Sequence, residues 1–368
     1  MDSKFSYDMN MEILSRTTLK TLDTMRCTNT EFEKLTYESY FLNLYKQRNN
    51  IVSGFLVQNL RKGCKYINEF APSCESHSLD LGFLPPNAKI LASSEQGFIV
   101  FESPHPRDYK LVSYHVCKPT TKEVLTLPNP KTRYLTKNVA ILVVGSKPIL
   151  HYKIVRLSEP KKPVLRGRDK LYTTYKCEIF DSMTWEWRLL DLVILPFGVF
   201  LTNQQAITTR GSIYMPLSNN DVLKFEAYSE KWTTFSLPIQ TLEYPFGTTS
   251  HLIKFERKLG FAYRTTSHLW ELWVLTNDES WERVHVFDTR SEDNGISSLD
   301  AIYDSDTRVM REYEAIAFYR FKGGDHIKKV LTSHHPYRIF TFRSDFEPIH
   351  LRGHKDVHMR MNSLYNKS

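Results

Sequence analysis

A chain of 368 residues, 41% hydrophobic and 24% charged, has the composition of an ordinary folded protein with room for a small module and a large domain. Its formal net charge of +8 comes from scattered Lys and Arg with no run of five, so nucleic acid is not the expected partner. Five cysteines without a Cys-x-x-Cys, an N-terminus lacking a long apolar core, and no apolar run of membrane-spanning length argue against a disulfide scaffold, a signal peptide and a membrane span, and place the expected location as cytoplasmic and/or nuclear.

From residue 8 to about residue 48 the sequence predicts helices. No Gly or Pro interrupts Asp8–Arg48, and apolar residues recur at helical spacing: Met9, Ile13 and Leu14; Leu19, Leu22 and Met25; Phe32 and Leu35; Phe41 and Leu44. Thr17 and Thr18 suit a boundary better than a helix interior, and Thr28-x-x-Glu31 or Thr30-x-x-Glu33 fits a capping box. About forty residues cannot hide this much apolar surface alone. The helices are therefore expected either to cap the large domain or to hold a partner protein.

Residues 49–84 read as a connection. Arg48-Asn49-Asn50 and Ala71-Pro72-Ser73 have loop composition, whereas Ile51–Leu60 is apolar enough for either a first strand or a helix extension.

Beyond the connection one pattern occurs five times. An alternating strand enters a polar turn, and a Trp or aliphatic residue follows: Tyr114–Val124, Tyr175–Trp187, Val222–Trp232, Leu272–Trp281 and Tyr337–Ile349. Three copies leave through Leu-Pro, at Leu127-Pro128, Leu195-Pro196 and Leu237-Pro238. Another strand precedes three copies, at Gly97–Phe101, Gly211–Met215 and Leu259–Tyr263, and Glu314–Tyr319 is expected to do so for the fifth. A two-sheet sandwich would explain separate hairpins but not this repeated order. Repeats of about 40–50 residues supplying four strands each are propeller blades. Trp187, Trp232 and Trp281 are expected to pack the hairpins as structural repeat residues. The expected fold is a small all-α N-terminal module plus an all-β, β-propeller-like domain of roughly six blades. Its divisions are 1–48 (helical module), 49–84 (connection), 85–355 (large domain) and 356–368 (tail). The turns differ from blade to blade, so a bound target is expected on a loop face of residues 90–352.

Two segments resemble a known family. Asp8-Met9-Asn10-Met11-Glu12-Ile13-Leu14-Ser15-Arg16, with Leu19-Lys20-Thr21-Leu22, Met25-Arg26-Cys27 and Phe32-x-x-Leu35, resembles an F-box. It departs from that pattern at Phe5-Ser6 and Thr17-Thr18, where Leu-Pro is usual, and at Phe32, where Trp is usual. His115–Pro128, Glu178–Ser182 with Trp187-Arg188, and Glu271–Leu275 with Trp281 resemble the F-box associated interaction domain (kelch-like propeller) of plant F-box proteins. The resemblance implies a substrate receptor of an SCF-type ubiquitin ligase. It would bridge a Skp-family adaptor, with its cullin, and an unknown protein target, and would have no catalytic activity of its own. It implies adaptor binding through Met9, Ile13, Leu14, Leu19, Leu22, Met25, Phe32 and Leu35.

Motifs for other chemistry are not in place. Gly145-Ser146-Lys147 lacks the phosphate-loop frame, and neither Gly-x-Ser-x-Gly nor His-Glu-x-x-His occurs. Cys64, Cys74 and His77, like His354 and His358, are too loosely spaced for a metal site. No catalytic residue, metal or cofactor is expected. The alternative is a propeller-fold enzyme or carbohydrate-binding protein with an N-terminal helical cap.

Overall fold

In this computed structural model the described residues are 2–36, 38–49, 51–61, 65–73, 78–105, 108–145, 150–162, 164–166, 170–238, 250–265, 269–276, 280–289, 298–304, 307–312, 314–320, 326–334, 336–345 and 351–352. The side chains of a few residues within helices and strands, Leu19 and Cys27 among them, lie outside the description. The chain forms two compact units. One comprises Met1–Ala88, Glu95–Gly97 and Ser236–Phe346, and the other Lys89–Ser94, Phe98–Phe235 and Glu347–Ser368.

The first unit opens with helices α1 (Asp2–Leu14), α2 (Leu19–Thr28), α3 (Thr30–Thr36) and α4 (Ser39–Asn49). Thr18 caps α2, its hydroxyl accepting from the Thr21 amide at 3.2 Å, as a boundary threonine should. The cap of α3 is Asn29, not a threonine: its Oδ1 accepts from the amides of Glu31 (2.7 Å) and Phe32 (3.3 Å). Asparagine wins because it occupies the one extended residue between two helices.

Strands β1 (Val52–Arg61) and β2 (Lys65–Pro72) follow in a hairpin, so Ile51–Leu60 is a strand and not a helix extension. In the second unit β3 (Lys89–Ser93), β4 (Ile99–His105), β5 (Asp108–Lys118) and β6 (Glu123–Thr126) form one antiparallel meander. The next sheet takes β7 (Leu135–Gly145), β8 (His151–Glu159), β9 (Val164–Arg166), β10 (Leu171–Asp181), β11 (Glu186–Leu189) and β12 (Val193–Pro196). Here β8 and β11 flank one end of β10, while β9 and β12 flank its other end. The sheet is thus a four-stranded blade with a three-stranded extension. The basic Lys161–Lys170 stretch supplies β9. The third sheet is β13 (Ile207–Thr209), β14 (Ser212–Pro216), β15 (Asp221–Glu226) and β16 (Lys231–Ser236).

Returning to the first unit, β17 (Ser250–Phe255), β18 (Lys258–Arg264), β19 (Leu269–Leu275) and β20 (Trp281–Asp288) form a fourth sheet. A fifth consists of β21 (Ser298–Asp304), β22 (Thr307–Glu312), β23 (Ala315–Arg320) and β24 (His326–Leu331). Finally β25 (Pro336–Ser344) pairs with β1, in the order β2-β1-β25. The described strands thus make six antiparallel sheets in chain order, the roughly six blades expected of a propeller.

The fifth sequence repeat is corrected by this arrangement. Tyr337–Phe342 does not enter a hairpin with a following strand among the described residues; it joins β1. Glu314–Tyr319 contributes β23, whose partner is β24. Glu314–Tyr319, expected to precede the Tyr337 copy, instead pairs with His326–Leu331, a strand that the repeat pattern does not include.

Apolar layers lie between neighbouring sheets of each unit. In the second unit Val100, Tyr114 and Val116 pack with Ile141, Tyr152, Ile154, Phe180 and Trp187. Val155, Cys177, Ile179 and Leu195 pack with Ile213, Met215 and Phe225. In the first unit Ile253, Trp270 and Leu272 meet Leu299, Met310 and Ala317, and Phe55 and Val57 meet Ile316 and Phe318. The inner strands are buried almost continuously, as along β14 and β23, because sheets cover both of their faces, whereas β12 and β19 alternate buried with more exposed residues.

Candidate functional site

The four helices enclose a small core of their own: Met11, Leu14, Leu22, Leu35, Phe41, Tyr45 and Ile51 are buried together, with Met25 and Phe32 partly covered against them. Phe41 and Tyr45 stack at 5.7 Å. Polar clamps fix the helices. Arg26, itself buried, donates to Thr36 Oγ1 (2.9 Å) and to the Thr36 carbonyl (3.0 Å), joining α2 to the end of α3. Arg48 and Arg16 both reach Glu12, at 2.8 Å each, and hold its carboxyl below the usual range. The Asn49 amide bridges the Ser15 and Tyr45 carbonyls at 2.6 and 3.0 Å. The guanidinium of Arg343, on β25, sits 5.4 Å over the Tyr45 ring.

This sorts the eight residues expected to face a partner. Leu14, Leu22 and Leu35 point inward and hold the helices; Met25 and Phe32 are half-buried against them. Met9 and Ile13, one turn apart on α1, are 50% and 55% exposed. Leu19 lies in α2, its side chain outside the description. Tyr40, 70% exposed at the start of α4, adds an outward apolar group that the spacing argument missed. One apolar period serves both core and surface here, and only the fold says which residues went where.

The tryptophans share one geometry in two of three blades. Trp187, buried on β11, donates its indole N–H to the Pro128 carbonyl at 2.8 Å; Trp281, at the start of β20, donates to the Ser236 carbonyl at 3.1 Å. Each reaches back to the exit of the preceding blade's last strand, where Leu127 and Leu237 are buried. Trp232 lies 4.7 Å from Phe225; its indole N–H makes no hydrogen bond of normal geometry and lies beside the Cys177 sulfur. Beneath Trp187 a second seam holds the chain between β6 and β7. Glu178 accepts from the Thr132 amide (2.8 Å) and hydroxyl (2.7 Å) and pairs with Arg156. Arg156 also donates to Thr132, Thr136 and the Tyr134 carbonyl. The sequence does not single out Arg156 and Glu178 as a buried pair, since each is one of several polar residues in its strand.

His115 bridges Ser103 (2.9 Å) and Thr126 (3.2 Å), so a threonine hydroxyl stands where a triad would place a carboxylate, and Ser103 is buried. Burial pushes the Cys177 thiol up to about 12 and the Cys117 thiol higher still, which leaves both protonated. Among the described residues no three His, Cys, Asp or Glu are grouped to hold a metal. Cys64, Cys74, His77, His354 and His358 lie outside the described residues, as do Ser146 and Lys147. No described helix is long and apolar enough to cross a membrane.

The repeated blades and their Trp-to-exit bonds can be set beside known proteins. The F-box associated beta propeller domain family matches residues 44–305. The chain belongs to the plant F-box proteins that carry an F-box associated β-propeller domain. An F-box protein of Arabidopsis thaliana is 32% identical over 188 residues, which is 47% of this chain and 95% of that relative. Among solved structures, a chain of the nidogen/laminin complex is 12% identical with a TM-score of 0.46, covering 80% of this chain and 100% of that one. Apo AztD of Citrobacter koseri is 9% identical with a TM-score of 0.41, covering 81% and 100%. Neither says anything of what this F-box family member binds.

Proposed function

We propose that this F-box family protein is the target-binding subunit of an SCF-type ubiquitin ligase, located in the cytoplasm or nucleus. Its helices carry the link to a Skp-family adaptor and, through it, a cullin; its blades hold the protein to be ubiquitinated. Family membership supports this reading, and the observation that carries it furthest is the helical segment itself. That segment fills its own core with Leu14, Leu22 and Leu35, yet leaves Met9, Ile13 and Tyr40 outward. Apolar side chains that core packing does not need are what a docked partner covers. Trp187, Trp232 and Trp281 act as blade-packing residues in this scheme. The chain performs no chemistry, since transfer of ubiquitin falls to other subunits.

The test is capture of a purified Skp-family adaptor by the full chain. Wild type should retain it, and Met9→Asp with Ile13→Asp should lose it while the circular dichroism spectrum is unchanged. An adaptor that binds both forms equally would remove α1 from the interface. Failure of the wild type to bind any adaptor would leave the propeller without a ligase.

A further inference from the structure

Leu351 and Arg352, the last described residues of the chain, are seated in the second unit without belonging to a strand. Leu351 is fully buried among Leu91, Phe98, Tyr152, Phe180 and Trp187, in the apolar layer between the first two sheets of that unit. Its carbonyl accepts from the Tyr152 hydroxyl at 2.9 Å, and its amide donates to the Glu123 carboxylate at 3.4 Å. The guanidinium of the exposed Arg352 lies 5.3 Å from the centre of the Trp185 ring. Glu123 opens β6 straight after the β5–β6 turn, and Trp185 ends the β10–β11 turn, so the socket opens among hairpin turns. Trp185 is the unusual residue there. In three successive four-residue turns the last residue takes a positive φ: Lys122 (56°), Trp185 (58°) and Glu230 (55°). Lys122 and Glu230 are unbranched polar side chains. A bulky aromatic in that left-handed conformation is an outlier that its surroundings must hold in place. The Trp185 ring packs edge-on at 5.2 Å against Phe180, and its π-face is what Arg352 rests on. The other two turns form without a tryptophan, so the turn alone does not call for one.

We propose that this socket is where the target protein binds, and that Leu351-Arg352 fills it as the chain's own stand-in. A target enters by presenting an extended segment of the same order, a large apolar residue followed directly by Arg. The seated residues identify that chemistry. An apolar pocket takes the first side chain, Tyr152 and Glu123 read the main-chain carbonyl and amide of the same residue, and Trp185 takes the cation of the next. This rests on the target-receptor reading above and narrows it from a loop face to one socket. A tethered stand-in competes at an effective concentration on the order of millimolar, so it sets a threshold that partial matches do not pass. A true target clears the threshold with further contacts, and the neighbouring turns offer Met183, 48% exposed, and the fully exposed Tyr228.

The probe is a fluorescein-labelled peptide with the sequence of residues 347–356, titrated by anisotropy into full-length chains. In one chain Leu351→Ala with Arg352→Ala empties the socket. That chain should bind the peptide at least tenfold more tightly than wild type, whose own segment competes. Leu351→Ala within the peptide should cost at least tenfold. Trp185→Lys in the emptied chain, which installs the residue of the preceding turn, should weaken the parent peptide several-fold. It should leave a peptide carrying Arg352→Ala unchanged, because the contact with the indole is then already gone. Arg352→Ala alone in the chain, with the buried leucine kept, should raise binding over wild type by a smaller factor. A random peptide library displayed on phage and panned on the emptied chain should enrich an apolar residue followed directly by Arg. Equal binding by wild type and the emptied chain, indifference of the peptide to its leucine, or enrichment of acidic or unrelated peptides would overturn the proposal. So would loss of the native near-ultraviolet circular dichroism in the emptied chain, since Leu351 would then be a fixed part of the core. Peptide exchange needs no adaptor. Adaptor capture on the same samples therefore tests the ligase reading separately, and its failure beside intact exchange would strike that reading alone.

Discussion

The Arg156–Glu178 pair gives the sharpest stability prediction. Both side chains are almost wholly buried, at 2% and 0% exposure. Glu178→Ala removes an acceptor used by the Thr132 amide, the Thr132 hydroxyl and the Arg156 guanidinium. Arg156 keeps Thr136 and the Tyr134 carbonyl, so its charge stays buried with dipoles but without a counter-charge. Breaking one side of a buried pair costs about 3–5 kcal/mol, and each stranded polar group about 1–3. The surviving bonds to Arg156 argue for the middle of that range, about 4 kcal/mol. In a unit of this size that lowers the thermal midpoint by roughly 8–16 °C. Urea unfolding followed by tryptophan fluorescence reads it directly, because Trp187 sits at the same seam. Replacing both partners, Arg156→Met with Glu178→Leu, should cost about 2 kcal/mol less than the sum of the two single changes. A single variant that loses less than about 1 kcal/mol, or a double variant equal to the sum, would refute the claim that this pair pins the chain between β6 and β7.

Leu14→Asp with Leu22→Asp should unfold the helical segment rather than merely release a partner, by several kcal/mol, since both side chains are buried in its core; hydrogen exchange in residues 2–49 would show it. Trp187→Phe should cost about 2 kcal/mol and Trp281→Phe less, because the first is buried and both lose a bond to a carbonyl; denaturation midpoints in the reverse order would contradict the assignment. His251, fully buried on β17, is held down to about 4 by burial. The unfolded chain takes up that proton first, so the stability His251 contributes is complete above about pH 6.5 and fades as pH falls toward 4. That is on the order of 3 kcal/mol across the window. His251→Gln should flatten the stability profile there, and an unchanged slope would show that another group titrates.

What could be read from the sequence, and what could not, follows from what repeats. Strand alternation and the Trp or Leu-Pro marks recur in chain order, and they located four of the hairpins at Tyr114, Tyr175, Val222 and Leu272. The β23–β24 pairing escaped because His326–Leu331 offers neither mark. Tyr337–Phe342 misled because a strand that pairs across nearly the whole chain looks locally like one that turns back. In the helices the 3.6-residue period found the apolar residues but could not say that Leu14 turns in while Ile13 turns out. Leu189–Leu201 is the most apolar stretch of the chain, yet Leu189, Leu192, Ile194, Phe197 and Phe200 within it are exposed. Its exposure depends on β12 being an edge, and pairing order is not a local property of sequence.

The pairing of β25 with β1 also sets a schedule. β1 begins at Val52 and its partner at Pro336, so on a ribosome the first strand is made long before the last. At the usual 5–20 residues per second the gap is on the order of half a minute. Throughout that time the helices and the β1–β2 hairpin are out of the tunnel with one edge of β1 open. A chain stopped before Pro336 would keep that edge permanently, and would lack the Arg343 that covers Tyr45. Nascent chains of this protein should therefore hold chaperones on their first seventy residues until Pro336–Ser344 emerges, and release them together with the completed sheet.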